Sequence, residues 1–297
     1  VEAAQGENVK TPRWMGGKMP LTAQLAAEER ALRRGLRQAW LTGGEQACTA
    51  LLRLEWKASE EVAERLTAHV ARQAKAFPIP ADEPVCVERI TRRRSQLILF
   101  HVVAGRSVNR ALAWVAGKRL GVPGSVVANL DDHGFLLSVD ARKAPSDEAL
   151  RTAFRPDGWQ QDLRDALAAN ETLGRKFRAV AETGQLLPRK SLRGAVTPKS
   201  ATWSAALLYT TLLRHEPEHP LLKEALREVM EDELDGPRAQ EEAARLYATP
   251  WEVHNLPRPS PFGIPLFAFW NREIVQAADP DRALDELVTS LYEEWDA

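Results

Sequence analysis

Residues 85–90 and 96–103 are dense in valine, isoleucine, leucine and phenylalanine, at strand rather than helix length, with Arg92-Arg93-Arg94 where a hairpin turn belongs. A second pair follows, in which residues 125–130 and 134–139 flank Asp131-Asp132-His133, a turn-type tip. Between the pairs, residues 107–120 carry Val108, Leu112, Val115 and Ala116 at helical intervals, and Gly121, Pro123 and Gly124 break the run. This arrangement predicts a small mixed sheet backed by one helix.

Helical periodicity surrounds that centre. In residues 21–40, Leu21, Leu25, Leu32, Leu36 and Trp40 recur at helical spacing with Thr22 as N-cap, and Gly43-Gly44 ends the run. A second helix is expected over 45–56. A third starts at Ser59-Glu60-Glu61 and carries Val62, Leu66 and Val70 before Pro78, Pro80 and Pro84 stop it. Beyond Ser146 the pattern predicts helices near 146–154, 158–168, 171–184, 199–214, 220–234, 238–247 and 280–295. Five prolines between Pro250 and Pro265 enforce extended backbone or turns over 250–268, leaving room for a short strand near 251–254. The expected fold is α+β, mainly helical with a small mixed β-sheet in the centre. Its expected parts are an extended segment at 1–20, a helical subdomain at 21–84, a small α/β subdomain at 85–145 and a helical subdomain at 146–297.

At 297 residues and 44% hydrophobic content the chain can bury a substantial core. No apolar stretch approaches the roughly 18–20 residues of a membrane span, and the N-terminal residues lack a signal-peptide core. Cys48 and Cys86 have neither zinc nor disulfide spacing, so both are expected as reduced thiols in the cytoplasm. The polar start runs directly into Pro12-Arg13-Trp14-Met15-Gly16-Gly17, as in the interior of a longer polypeptide.

The formal charge of −1 hides a division. Residues 86–205 hold 20 lysines and arginines against 11 acids, net +9, whereas 206–297 hold 8 against 19, net −11. A basic middle beside an acidic end points to a polyanion-binding surface, because phosphate contacts follow local cation density. Its candidates are Arg92, Arg93, Arg94, Arg106, Arg110, Arg175, Lys176, Arg178, Arg189, Lys190, Arg193 and Lys199, with Lys118 and Arg119 in the same series. Arginine dominates, and its planar fork suits bidentate phosphate contact.

No catalytic constellation accompanies these cations. The phosphate loop Gly-x-x-x-x-Gly-Lys-[Ser/Thr] does not occur; Gly17-Lys18 and Gly117-Lys118 lack the upstream glycine and the following hydroxyl. The nucleophile elbow, the His-Glu-x-x-His helix and the dinucleotide fingerprint are absent from the sequence too. Asp131, Asp132 and His133 fit a solvated hairpin tip better than an acid/base or metal cluster. Pro217 separates His215 from His219, whose spacing would otherwise suit a metal. Neither cofactor nor metal is expected in this chain.

Several strings form an ordered series from about residue 11 to residue 270. They are Arg13-Trp14-Met15-Gly16-Gly17 with Met19-Pro20-Leu21, then Phe100-His101 with Gly105-Arg106-Ser107-Val108-Asn109-Arg110-Ala111-Leu112, then Asp132-His133-Gly134-Phe135. Phe177-Arg178, Glu228-Val229-Met230-Glu231-Asp232 and Pro259-Ser260-Pro261-Phe262-Gly263 follow. The series resembles the C-terminal, DEAD/H-associated domain of large helicase-related (Lhr-type) superfamily 2 DNA helicases. That resemblance implies part of an ATP-dependent DNA translocase in DNA repair, with ATP and magnesium used by motor domains elsewhere in the polypeptide. It also implies that this part contacts the translocated DNA, single-stranded or in a tailed duplex, and closes the channel against motor and winged-helix domains. Asn109 joins the candidate contacts from the Gly-Arg-x-x-Asn helix start. Trp14, with Arg13 and Lys18 beside it, is a candidate to stack on an unpaired base, with core anchoring as its competing role. The competing function is a helical scaffold that binds a protein through the acidic C-terminal third. A nuclease or glycosylase ranks last, because the sequence lacks clustered carboxylates or metal ligands.

Overall fold

The computed structural model describes residues 21–121, 126–168, 171–187, 190–191, 194–195, 198–268 and 280–296. Helix α1 (Ala23–Leu54) begins where the Thr22 hydroxyl accepts from the Leu25 amide. It bends at Gly43 and Gly44, the latter at φ 58°, so the two helices expected there are halves of one broken element. Helix α2 (Glu60–Ala76) starts at Ser59, whose hydroxyl accepts from the Val62 amide, and carries Glu60 and Glu61 in the first turn, where the helix dipole favours acids. Leu36, Ala39, Cys48 and Leu52 of α1 close on Ala63 and Val70 of α2.

The chain then turns into the sheet. β1 (Val85–Arg92) and β2 (Ser95–His101) pair as an antiparallel hairpin, α3 (Arg106–Leu120) runs back, and β3 (Val126–Leu130) and β4 (Gly134–Asp140) form the second hairpin. β4 pairs antiparallel with β2, setting Phe135 opposite Phe100. A two-stranded ribbon of β5 (Lys190–Ser191) and β6 (Gly194–Ala195) stands apart. The strand expected near 251–254 is β7 (Trp251–Leu256), and it lies parallel to β1, with Val85 opposite Trp251 and Ile90 opposite Leu256. The resulting mixed sheet has the order β3-β4-β2-β1-β7.

Alternation of side chains gives the sheet two buried faces. Val87, Ile98, Phe100, Phe135 and Leu137 meet α3, α4 (Asp147–Thr152), α5 (Trp159–Ala168), α6 (Glu171–Thr183), α8 (Pro220–Glu228) and α9 (Gly236–Ala248) around Phe154, Trp159 and Phe177. α7 (Pro198–His215) packs against α6 and α8. Ile90, Leu97, Leu99 and Leu136 meet α10 (Ile264–Ala268) and α11 (Pro280–Asp296). Extended backbone was expected to continue through residue 268; instead 264–268 is helical. Pro265 falls in the first turn of α10, where no amide donor is needed.

The path of the chain sorts residues between the two ends of the sheet. β2 leads away from Arg92-Arg93-Arg94, α3 returns toward them, and β4 returns once more, so the arginine turn, the end of α3 and Asp140 share one end. His101, Gly105 and the 131–133 turn share the other, about 20 Å away along strands of this length. At that second end Gly134 sits opposite His101, where a Cβ would fall 2.1 Å from the Phe100 carbonyl oxygen. Gly134→Ala must shift that backbone, and we expect it to cost about 1–3 kcal/mol of stability, read as a lowered urea midpoint; an unchanged midpoint would show that the strands part without strain.

Candidate nucleic-acid interface

The strings Gly105 to Asn109 and Asp131 to Gly134 meet at the second end of the sheet and lock together. The Gly105 amide donates to the Asp132 carbonyl at 3.0 Å, and Asp132 Oδ1 accepts from the Arg106 amide at 2.8 Å, satisfying the first turn of α3. The same oxygen accepts from the Leu21 amide at 3.2 Å. Asn109 Nδ2 donates to the carbonyls of Val102 and Asp131, each at 2.9 Å. Gly105 has φ 90°, and a Cβ there would lie 2.7 Å from the Leu21 carbonyl oxygen. Asn109 was expected at the nucleic-acid surface, but it is fully buried, and its amide satisfies backbone carbonyls of two different elements. Arg106 is partly engaged as well, its guanidinium 3.4 Å from Asp132.

The Pro259-Ser260-Pro261-Phe262-Gly263 string has a comparable internal task. Glu88, wholly buried in β1, accepts from the Ser260 amide at 2.9 Å and from the Ser260 hydroxyl, and pairs with His101 Nε2 at 2.5 Å. A Cβ at Gly263 would fall 2.9 Å from Leu99 Cδ1 and 3.1 Å from Glu88 Oε1, so glycine lets the turn close over the carboxylate. Phe262 donates its amide to Gln73 of α2 at 2.8 Å, which ties this turn to the helical hairpin.

The sequence candidates do not form one basic patch. Arg92, Arg93 and Arg94 are exposed at the β1–β2 turn, with Arg92 over the Phe267 ring at 4.6 Å. The Arg94 carbonyl accepts from the Ala141 amide, which sets Arg142 and Lys143 beside this turn, a neighbourhood invisible in sequence spacing. Arg93, Arg94 and Lys143 have no ion pair among the described residues. Lys118 and Arg119, by contrast, are bound to Asp162 and Asp165, and the Arg119 guanidinium also covers Trp159. Arg106 and Arg110 stand at the opposite end of the sheet, half-buried. On α6, Lys176 is held by Glu228 at 3.4 Å and Glu233 at 3.2 Å, and Arg178 by Glu182 at 2.9 Å, while Arg175 is exposed and donates to Thr172. Arg13, Trp14, Lys18, Arg189 and Arg193 lie outside the described residues; Lys190 falls in β5 and Lys199 in α7.

A group of cations that the charge count passed over lies on α1. Arg30, Arg33, Arg34 and Arg37 recur at three- and four-residue intervals and so share one helix face. Arg30 reaches the Val103 carbonyl and Glu242, Arg34 pairs with Asp82, and Arg37 grips both oxygens of Glu252 on β7. Arg33 makes two hydrogen bonds to Glu29, which also meets His133 Nε2 at 3.2 Å. The hydrogen bond to Glu29 raises the His133 pKa above its ordinary value, against the opposing effect of burial. Burial pushes Glu29 upward, but His133 and Arg33 outweigh it and hold its carboxyl below the ordinary range. A histidine raised on folding stabilises fully below its unfolded value of about 6.5 and loses that contribution as pH climbs through the folded value. The melting temperature of His133→Gln should therefore fall furthest below that of the parent at pH 5.5 and converge on it by pH 8.5; a gap independent of pH would remove the ion pair from the account.

Comparisons with known proteins accord with this architecture. The family model described as DEAD/H associated matches residues 79–263. The ATP-dependent helicase Lhr-Core protein 2 of Thermococcus barophilus is 30% identical over 98% of this chain and 34% of its own length. The ATP-dependent helicase Lhr-Core of Methanocaldococcus jannaschii is 24% identical over 97% of this chain and 33% of its own. The chain thus spans about a third of the length of the curated relatives it matches. Among solved structures, Mycobacterium smegmatis helicase Lhr bound to ssDNA and AMP-PNP shares the fold, with TM-score 0.65 and 21% identity over 88% of this chain and 33% of that one. Matched over more than half its residues, including both locked strings and the Ser260 turn, this chain belongs to the DEAD/H associated family.

Proposed function

We propose that this chain is the strand-gripping accessory part of an ATP-dependent Lhr-type helicase. It contacts the translocated DNA strand and closes the channel against superfamily 2 motor and winged-helix domains of the same polypeptide, in DNA repair in the cytoplasm. The observation that carries the reading is the convergence of Arg92, Arg93, Arg94, Arg142 and Lys143 at one end of the sheet, on turns held together by the Ala141 amide. These turns present exposed cations, whose sequence-independent Coulomb attraction suits a strand that must slide. The relatives named as ATP-dependent helicases, and the fold shared with a helicase bound to ssDNA, support the same reading. The competing scaffold, binding a protein through the acidic C-terminal third, draws on the exposure of Leu207 (59%) and Leu213 (44%) on α7.

Binding of the full chain to fluorescein-labelled oligothymidylate across a salt series separates the two. Arg93→Glu with Arg94→Glu and Lys143→Glu should weaken binding at least tenfold at low salt. The slope of log affinity against log salt should flatten by about 2, at roughly 0.7 per phosphate contact on a single strand. Lys176→Glu, whose parent side chain is already held by two glutamates, should alter binding far less. Unchanged affinity and slope in the triple variant would remove this surface from the strand path, and no binding at low salt by the parent would favour protein docking.

A further inference from the structure

A cavity of about 290 Å³ opens between α1, α2, α11, the 131–133 turn and the Pro261-Phe262 turn. It lies at the end of the sheet remote from Arg93 and Arg94 and has no part in the phosphate contacts proposed above. One wall is a layered aromatic surface. The His69 ring stacks on Phe262 at 4.9 Å and 17°, Tyr292 stands edge-on to His69 at 6.1 Å, and Arg33 covers Phe262 at 5.1 Å. Among the described residues, neither the His69 ring nitrogens nor the Tyr292 hydroxyl has a hydrogen-bond partner, although His69 is half-buried. Both groups keep contact with solvent and so can meet a ligand that enters the cavity.

The remaining polar groups define what that partner can be. Glu29 is neutralised by Arg33 and His133, and Asp131 accepts from the His133 amide at 2.8 Å, so the lining has little net charge to offer a phosphate. Burial, with Arg72 and Arg33 nearby, lowers the His69 pKa and keeps the imidazole neutral near pH 7, able both to donate and to accept. The volume falls at the lower edge of the about 300–1,000 Å³ of typical small-molecule sites. An uncharged, planar heteroaromatic ring with donors and acceptors on its edge meets these conditions: flat against the His69 ring, its edge toward the Tyr292 hydroxyl.

We propose that this cavity holds one unpaired nucleobase of the bound strand, stacked on the His69 ring, whose other face lies on Phe262, with the Tyr292 hydroxyl on its hydrogen-bonding edge. The proposal rests on the strand-gripping reading and adds a base-specific site to its phosphate contacts. Base stacking of this kind contributes about 1–3 kcal/mol per base, which corresponds to about a 5- to 150-fold change in affinity.

The test compares oligothymidylate with a fully abasic strand of equal length and charge, both binding the full chain. The parent should bind oligothymidylate more tightly by a factor in that range while showing the same salt slope for both strands. His69→Ala should erase most of the difference, and Tyr292→Phe, which keeps the ring and removes only the hydroxyl, should erase part of it; both should leave the salt slope unchanged. Equal binding of the two strands by the parent overturns the base site while leaving the phosphate surface intact. An abasic penalty that persists in full in both variants overturns it as well, by placing base contact elsewhere. Failure of the parent to bind either strand at low salt overturns the strand-gripping reading and the base site together.

Discussion

Asp132 accepts the amides of Leu21 and Arg106 with one carboxylate oxygen, while its carbonyl accepts from Gly105, so three elements begin or turn at a single residue. Asn109 completes the joint by bridging the end of β2 to the β3–β4 turn. Each such bond contributes only about 0.5–1.5 kcal/mol net, but leaving the buried partners unmade costs about 1–3 kcal/mol apiece. The joint therefore fixes where α3 starts, and α3 carries the larger core on its inner face through Val108, Ala111, Leu112 and Val115. Gly105 and Gly134 are required because carbonyl oxygens occupy the space a Cβ would need.

This arrangement sorts the chain's cations into a paired set and an outward-facing set. Arg30 and Arg37 of α1 reach Glu242 of α9 and Glu252 of β7, and Lys118 and Arg119 at the end of α3 bind Asp162 and Asp165 of α5, tying helix to strand and helix to helix. The arginines of the β1–β2 turn face outward, and the fold adds Arg142 and Lys143 to them. Net charge over a segment cannot distinguish the two sets, because the acids that neutralise one of them come from distant parts of the chain. Glu252 answers Arg37 across 215 positions, and Glu228 and Glu233 answer Lys176 from the acidic third.

Element types were legible because apolar spacing is local: the hairpins, α3 and the capped starts at Thr22 and Ser59 follow directly from it. The parallel pairing of β7 with β1 was not legible, since nothing in a six-residue strand among prolines specifies a partner more than 150 residues away. The motif strings were visible as strings, but the place of Asn109 within them was not. Asn109 resembles a contact residue in sequence and proves to be a buried bridge, because its burial depends on the turn that folds over it. The aromatic cavity joins His69, Phe262 and Tyr292 from three separate segments, and neither periodicity nor charge marks any of them.

On the proposed function, the Gly-Arg-x-x-Asn string builds the joint while strand contact lies on outward-facing surfaces. Paired measurement of melting temperature and oligothymidylate affinity for Asn109→Ala tests it most directly. The melting temperature should fall by several degrees, since a loss of about 1–3 kcal/mol has that effect in a chain of this size, with unchanged affinity and salt slope for the folded fraction. An unchanged melting temperature together with a tenfold loss of affinity would contradict it and return Asn109 to the strand.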